Sequence, residues 1–335
     1  MKESRFLFRF LFPAALVFSA CTCSSEAAIQ QVLGNSAEAP VFLDCRAVSS
    51  DEVVFRFSLP VKVVSLVFDP PGEAGILDAG EEVKVKLYRP FNGGEKITAD
   101  ILVEDEHRNT LNVLVPFRTR NDRIPDLLIN ELRTEYTKPK AEYVELRAMS
   151  AGNLGALRLF AAGHSLTSPL YEFPPIEVKA GEYIVLHLRT LEEGWADETG
   201  DELDLSKAAD SCPTARDLWI SESTKYLHKT DAVFLLDQDD AVIDAVVLNE
   251  DTDWQKKAFM NSAAQLLGSK GAWLPLEENS GKLPGPGDAV ASNKSATTRT
   301  VSRDETIPDS NRSGDWYITA SSNATPGFKN STKRF

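Results

Sequence analysis

Cysteine and histidine are scarce in this chain of 335 residues, which contains four of each. No C-x-x-C pair and no cysteine–histidine cluster occurs, so the spacing typical of zinc and dithiol redox sites is missing. A G-x-S-x-G turn is also absent, and the two prolines of "GKLPGPGDAV" remove N–H donors that a phosphate-binding loop requires. The sequence therefore predicts no catalytic residues, no metal and no cofactor.

The histidines and carboxylates do not change this prediction. The histidines lie far apart and none is spaced as a metal ligand, so we expect surface or strand residues at His107, His164, His187 and His228. The segment "DQDDAVID" lacks the terminal bidentate glutamate of a calcium loop, so a hairpin turn is favoured there. The segment "DETGDELDLSKAAD" could gather a weak cation, but its composition favours a solvated acidic loop.

Positive charge is also in short supply. The chain has 36 basic and 50 acidic residues, a formal net charge of −14. Such a surface repels the phosphates of nucleic acids. A nucleic-acid-binding role is therefore not expected, unless the folded chain gathers a local basic patch.

One apolar run, "FLFPAALVFSA", follows a basic head that contains Lys2, Arg5 and Arg9. The run is too short for a membrane span, which needs about 20 apolar residues. Together these features predict a secretory signal peptide at residues 1–20. The small residues Ser19 and Ala20 suit cleavage directly before Cys21.

The segment "FSAC" resembles the lipobox of bacterial lipoproteins, with Phe18 in place of the usual leucine. The resemblance implies that Cys21 is acylated and anchors the chain to the cell membrane or the outer membrane, facing the periplasm or the exterior. Residues 21–39 are small and polar, and they predict a flexible tether. The alternative is an ordinary secretory signal, with Cys21 as a free or disulfide-bonded cysteine.

The two remaining cysteines, Cys45 and Cys212, lie far apart in the sequence. An exported protein can form a disulfide between such residues. Isolated buried thiols are the simpler interpretation and the one we favour.

Residues 40–122 read as short strands separated by proline and glycine turns, which is typical of an antiparallel β-sandwich. In "EEVKVKLYRP", Val83, Val85 and Leu87 alternate with polar residues, as in a half-buried strand. The order of "FRFSLPVKVVSLVF" and "VEDEHRNTL" resembles bacterial immunoglobulin-like domains of surface proteins. Arg108 stands where that family has glycine.

Residues 125–330 contain, in order, "INEL", "EYVEL", "VKAGEYIVL", "DAVFLLDQDDAVIDAV", "DW" and "ATPGFKN". This series resembles a lamin-tail domain, which implies an immunoglobulin-like β-sandwich. Two insertions depart from the family: an acidic one at 192–219 and a helical one at 252–273. The predicted fold is therefore all-β, with two immunoglobulin-like antiparallel β-sandwiches in tandem and a short helix inserted in the second.

Local patterns refine the second sandwich. Alternation in "EYVEL" predicts that Val144 and Leu146 face one side and Tyr143 and Glu145 the other, one side buried and one wet. Gly181 and Gly327 are expected in turns with positive φ. The spacing of "WQKKAFMNSAAQLLG" predicts a helix that carries Trp254, Ala258, Phe259 and Leu266 and stops near Gly268.

Two functional hypotheses follow. The first is a non-catalytic cell-envelope lipoprotein that binds or scaffolds a protein or glycan partner through its lamin-tail domain. The alternative is an envelope-associated hydrolase, with or without a metal ion, that uses the acidic insertion at 192–219. The lipobox, the lamin-tail series and the missing catalytic set favour the first.

Overall fold

The chain is described by a computed structural model that covers residues 38–88, 91–250, 254 and 256–335. The predicted signal peptide, Cys21 and most of the predicted tether lie outside these residues. Within the described residues the fold is built from β-sheets whose strands pair mostly antiparallel, together with a single α-helix. The predicted all-β class is therefore confirmed. No helix in this part of the chain is long and apolar enough to cross a membrane.

The first sandwich contains a four-stranded sheet of order β1-β2-β5-β4 and a three-stranded sheet of order β3-β6-β7. Its core lies between them, and the predicted inward residues Val83, Val85 and Leu87 are buried there. Pro60 falls between β2 and β3, in one of the proline and glycine turns expected in this region. The strands are β1 (Phe42–Ser49), β2 (Glu52–Phe57), β3 (Lys62–Asp69), β4 (Ala74–Asp78), β5 (Glu82–Leu87), β6 (Lys96–Glu104) and β7 (Thr110–Arg118).

The turn between β6 and β7 explains the departure at Arg108. Arg108 has a φ of +65°, a left-handed conformation in which glycine costs least. The turn is held instead by Asp105, whose Oδ1 accepts the backbone N–H groups of His107 and Asn109, both at 2.8 Å. A side-chain anchor therefore stabilises a turn that lacks its glycine.

The second sandwich pairs a six-stranded sheet, order β15-β14-β9-β8-β19-β20, with a five-stranded sheet, order β12-β11-β16-β17-β18. A small ladder, β10-β13, adds to them. The strands are β8 (Leu127–Arg133), β9 (Tyr143–Ala148), β10 (Gly152–Asn153), β11 (Arg158–Ala161), β12 (Tyr171–Glu172), β13 (Glu177–Val178), β14 (Tyr183–His187), β15 (Arg216–Trp219), β16 (Asp231–Leu236), β17 (Val242–Asn249), β18 (Val290–Ala291), β19 (Val301–Arg303) and β20 (Trp316–Ile318). The large apolar core lies between the two sheets.

The prediction of a wet face on β9 is wrong. Val144 and Leu146 face the apolar core, but Tyr143 and Glu145 on the opposite face are also fully buried. The C-terminal segment covers them: the backbone N–H of Gly327 donates to Glu145 Oε2 at 2.6 Å. Gly327 has the expected positive φ, and a Cβ there would lie 2.4 Å from the Cβ of Cys212. Both its backbone conformation and its close packing therefore require glycine.

The described residues of the two insertions form parts of the second sandwich. The acidic insertion supplies β15, which pairs in parallel with β14 at the edge of the six-stranded sheet. The other insertion supplies α1 (Ala258–Ser269), which packs on β16 and β17 through Met260, Ala263 and Leu267. The predicted helix is confirmed, but Trp254 precedes it and Gly268 lies in its last turn. Phe259 and Leu266 are only half-buried at the edge of the core.

The polar segment at residues 120–125 links the two sandwiches and is hydrogen-bonded to both of them, in the first through Asp122, which accepts the N–H of Ser50. Arg120 pairs with Asp239 of the β16–β17 turn at 2.6 Å. The side-chain amide of Asn121 donates to the carbonyl oxygens of Asn153 and Gly155. A Cβ at Gly155 would lie 1.9 Å from the carbonyl oxygen of Gly93, so only glycine allows this backbone approach. The first sandwich therefore sits against one defined end of the second.

Candidate binding surface at the loop end

The end of the second sandwich opposite this junction is formed by loops. Strands β8, β11 and β15 end there, and β9, β16 and β19 begin there. Antiparallel pairing brings most of these ends together, and the parallel pairing of β15 with β14 places the end of β15 beside them. We call this surface the loop end, and we define it by residues 134–142, 162–170, 220–230 and 292–300. Since loops on a rigid sheet scaffold are the usual place for binding residues, this surface is the natural candidate for a functional site.

A cavity of about 670 Å³ opens at the loop end. Four basic side chains line it: Lys225, His228, Lys229 and Lys257. Two glutamates, Glu135 and Glu250, and the half-buried Phe259 complete this part of the wall. Lys225 pairs with Glu135 at 2.9 Å. Lys229 and Lys257 form no ion pair with any residue that the structure describes. We call this site the lysine cavity.

The electrostatics of the lysine cavity act on His228. Burial lowers the pKa of this imidazole, and the ammonium groups of Lys225 and Lys257 lower it further. The imidazole is therefore kept neutral at a site where an anion would be attracted by the lysines. A negatively charged group entering the cavity would oppose this effect and raise the pKa of His228.

Asp231 holds the loops of the lysine cavity in position. Its Oδ1 accepts the N–H groups of Gly163 and Ala232, both at 2.8 Å, and its Oδ2 accepts that of His228 at 3.2 Å. Burial raises the pKa of Asp231 to about 7, while these donors act in the opposite direction. The side chain joins two loops of different sequence origin, which fixes the shape of the cavity wall.

A polar cluster of the second sandwich lies away from solvent, on the covered face of β8 and β9. Glu131 and Glu145 are register neighbours on these strands, and both are fully buried. Glu305 approaches from the other side, where it pairs with Arg147 at 2.9 Å. Because no substrate could reach these carboxylates without displacing the C-terminal segment, the cluster is a structural latch.

Burial, assisted by the charge of Glu131, raises the pKa of Glu145 well above its usual range. Its folded-state pKa therefore exceeds the unfolded value of about 4.3, and the folded chain holds a proton that the unfolded chain releases. Over that pH range the free energy of unfolding falls as pH rises, by up to about 1.4 kcal/mol per pH unit. Stability from this group is complete below the unfolded pKa and is lost as pH rises through the folded one.

We therefore expect Glu145→Gln to flatten the decline of stability from pH 5 towards pH 8. An amide has no proton to lose, so the variant keeps a pH-independent offset but not the slope. Denaturant unfolding at a series of pH values measures both. The exposed Glu193→Gln is the matched control and should run parallel to the wild type; a parallel curve for Glu145→Gln would contradict the assignment.

The residues singled out from the sequence fall at separate places. Cys21 lies outside the described residues. Cys45 and Cys212 are free thiols. Burial raises the pKa of Cys45 to about 12, with a smaller effect from Asp44. Cys212 is buried beside Gly327. Neither thiol therefore has the exposed, electropositive setting of a reactive cysteine.

Two carboxylates of the acidic insertion, Glu198 and Asp217, are tied into the fold rather than solvated. Glu198 is fully buried and accepts the N–H groups of Leu205, Ser206 and Asp217. Asp217 also contacts His187 at 2.8 Å. The expected solvated loop is therefore wrong for Glu198, which packs against β15, whereas Asp201, Glu202 and Asp204 of the same segment are exposed as expected. Among the described residues no group of three or more histidine, cysteine or acidic residues is placed to hold a metal ion.

The "DQDD" segment forms the β16–β17 hairpin turn that the sequence predicts. Asp237 Oδ1 accepts the N–H groups of Asp239 and Ala241, and Asp240 adopts a positive φ of 61°. The turn faces the first sandwich, where Arg120 binds it. Its carboxylates therefore serve the junction.

Comparison with known proteins gives three findings. A family model described as "protein second domain" (TP_1001_2nd) matches residues 125–318. An uncharacterized protein of Treponema pallidum (strain Nichols) is 25% identical over 244 residues, which are 69% of this chain and 62% of the relative's own length. A crystal structure of a DUF4876 family protein from Bacteroides thetaiotaomicron covers 83% of this chain and 94% of its own, with 12% identity and a TM-score of 0.30. The matched family range contains every loop that defines the loop end.

Proposed function

Since this chain belongs to the TP_1001_2nd family through residues 125–318, we propose that it is a non-catalytic cell-envelope lipoprotein that binds a partner through its second sandwich. The partner is a protein or glycan with exposed negative charge. The observation that carries this proposal is the lysine cavity, in which Lys229 and Lys257 have no ion-pair partner among the described residues.

The placement of the cavity supports the proposal. The first sandwich contacts the second through the β16–β17 turn and residues 153–155, whereas the lysine cavity opens at the other end. An acylated Cys21 would hold the chain at its N-terminal side. The loop end would then face away from the anchored side, where a partner can approach it.

The chemistry of the cavity also supports binding rather than turnover. Its lysines supply charge, and Asp231 is occupied by three backbone N–H groups. The hydrolase alternative relies on the acidic insertion, but Glu198 and Asp217 are committed to buried hydrogen bonds. The likeness to lamin-tail domains, taken from the sequence motifs, agrees with a sandwich that binds through its loops.

Charge reversal tests the proposal. We expect the double variant Lys229→Glu/Lys257→Glu to bind the partner at least about tenfold more weakly, a loss of about 1.4 kcal/mol. The partner is first isolated from crosslinked envelopes with the acylated wild-type protein. The Kd of the partner for the wild type and for the double variant is then measured at two salt concentrations. Binding by the wild type should weaken as salt screens the lysines.

The control variant is Lys96→Glu, an exposed change of the same charge on the first sandwich. It should bind as the wild type does. Duplex DNA at physiological salt is the control ligand, and we expect no measurable affinity because the chain carries a net charge of −14. Equal partner affinity for the wild type and the cavity variant would refute the assignment of the site.

A further inference from the structure

A second, smaller cavity lies beside the lysine cavity, and Thr297 lines both. Its volume is about 310 Å³. Three cationic side chains reach it, namely Arg133, Lys138 and Lys140, together with the hydroxyl-bearing residues Thr297, Thr298 and Ser322. No carboxylate is among the described residues that line it. We call this site the Arg133 cavity.

Arg133 has unused hydrogen-bonding capacity. Only 1% of its side chain is exposed, and its guanidinium lies 4.8 Å from the centre of the Tyr143 ring. Nη1 donates to the carbonyl oxygen of Ala141 and to Asp210, but Nε is buried without a partner. Since an unsatisfied buried donor is destabilising, a guanidinium left in this state points to an absent acceptor.

The local charge favours an anionic acceptor. Asp210 is shared, because it pairs with Arg133 and also with Lys140 at 3.1 Å. Lys138 forms no ion pair with the described residues. Three cations therefore face Asp210 and, behind Arg133, Glu131, which leaves an excess of positive charge at this site in a chain whose net charge is −14. An arginine fork matches carboxylate, phosphate and sulfate groups particularly well.

We infer that the Arg133 cavity binds the carboxylate, phosphate or sulfate group of an acidic sugar. The inference rests on the proposed function and names its partner as an anionic glycan. The cations pair with the acidic group, while the hydroxyls of Thr297, Thr298 and Ser322 are suited to the hydroxyls of the ring. The volume is small and the lining hydroxyl-rich, which suits one sugar unit better than the apolar anchor of a peptide.

The experiment titrates the full chain with D-glucuronate, D-glucose and an acidic peptide at constant ionic strength, followed by saturation-transfer NMR. Sodium sulfate has no protons to observe and is titrated as a competitor of glucuronate. We expect saturable binding of glucuronate and none of glucose. Arg133→Lys keeps the charge but removes the fork, and should weaken glucuronate binding by about tenfold. Lys138→Glu, an exposed change that leaves the buried pair intact, should weaken it to a similar degree.

Lys294→Ala is the matched control, because Lys294 is an exposed lysine of the same end and does not line the cavity. Its glucuronate affinity should equal that of the wild type. Equal binding of glucose, unchanged affinity in Lys138→Glu, or sulfate binding as tightly as glucuronate would overturn the inference, the last meaning an adventitious ion only. Stronger binding of the acidic peptide would also overturn it.

These outcomes are separable from those of the proposed function. The partner experiment depends on Lys229 and Lys257, which do not line the Arg133 cavity. If Lys229→Glu/Lys257→Glu still binds glucuronate but no longer binds the partner, both the proposed function and the Arg133 site are supported. A second outcome is that Lys138→Glu loses glucuronate binding and still binds the partner with unchanged affinity. That result would show that the anion site is separate from partner binding, and it would overturn only the assignment of the partner as an anionic glycan.

Discussion

Replacing Cys21 with alanine is expected to release the protein from membranes. Acyl chains contribute about 0.8 kcal/mol for each buried CH₂ group, and stable anchoring needs more than one chain. Alanine offers no thiol for acylation, so the variant should keep no lipid. We expect the detergent-phase fraction in a phase-partitioning assay to fall by about tenfold or more.

Cys23→Ala is the matched control, since it removes a thiol two residues away without touching the lipobox. It should partition as the wild type does. Mass spectrometry of the wild type should find a lipidated Cys21 as its first residue. Normal detergent-phase partitioning of Cys21→Ala, or an intact signal peptide in the mature protein, would refute the anchor and leave an exported or retained chain to be explained.

The parts of the fold that the sequence predicts well are those with local causes. Val83, Val85 and Leu87 alternate within one strand, and an alternation of this kind depends only on which side of a single sheet is buried. The "DQDD" hairpin is similarly local, because Asp237 bonds to backbone groups two and four residues away. Patterns that span a few residues carry enough information for such elements.

The covered face of β9 could not be predicted in this way. Glu145 looks like a solvent-facing residue in "EYVEL", but Gly327, 182 positions later, donates a hydrogen bond to it. The acidic insertion misleads for the same reason, since Glu198 is buried only because β15 joins the sheet. A charged residue in a strand reads as exposed unless the distant segment that covers it is known.

The candidate site could be predicted from the sequence only in part. "KYLHKT" places Lys225, His228 and Lys229 close together in a strongly acidic chain, and this local excess of positive charge was a usable signal. Lys257 and Arg133 come from other segments and join the surface only through the fold. No pattern around Arg133 indicates that its Nε is buried without a partner.

The latch beneath the C-terminal segment is centred on Glu131, which is fully buried. Glu131 Oε1 accepts the hydroxyls of Thr300 at 2.5 Å and Ser302 at 2.9 Å. Its Oε2 accepts the hydroxyl of Tyr143 at 2.6 Å and the backbone N–H of Thr325 at 3.0 Å. One carboxylate thus joins the sheet to the segment that covers it.

We expect Glu131→Ala to lower the free energy of unfolding of the second sandwich by about 3–5 kcal/mol. Thr300 can still bond to Thr319 Oγ1 at 3.0 Å, but Tyr143 and Thr325 each lose their acceptor. Denaturant unfolding followed by tryptophan fluorescence measures this directly. All five tryptophans lie at or after residue 195, so the signal reports the second sandwich and not the first.

The exposed Glu193→Ala is the control, and it should change stability by less than about 0.5 kcal/mol. Because the latch fastens the C-terminal segment, Glu131→Ala should also expose the chain beyond residue 319 to proteolysis sooner than the rest of the sandwich. A loss no larger than that of Glu193→Ala would mean that the cover over β8 and β9 is held by its other contacts. Glu131 would then be a buried charge that the fold tolerates rather than one that it uses.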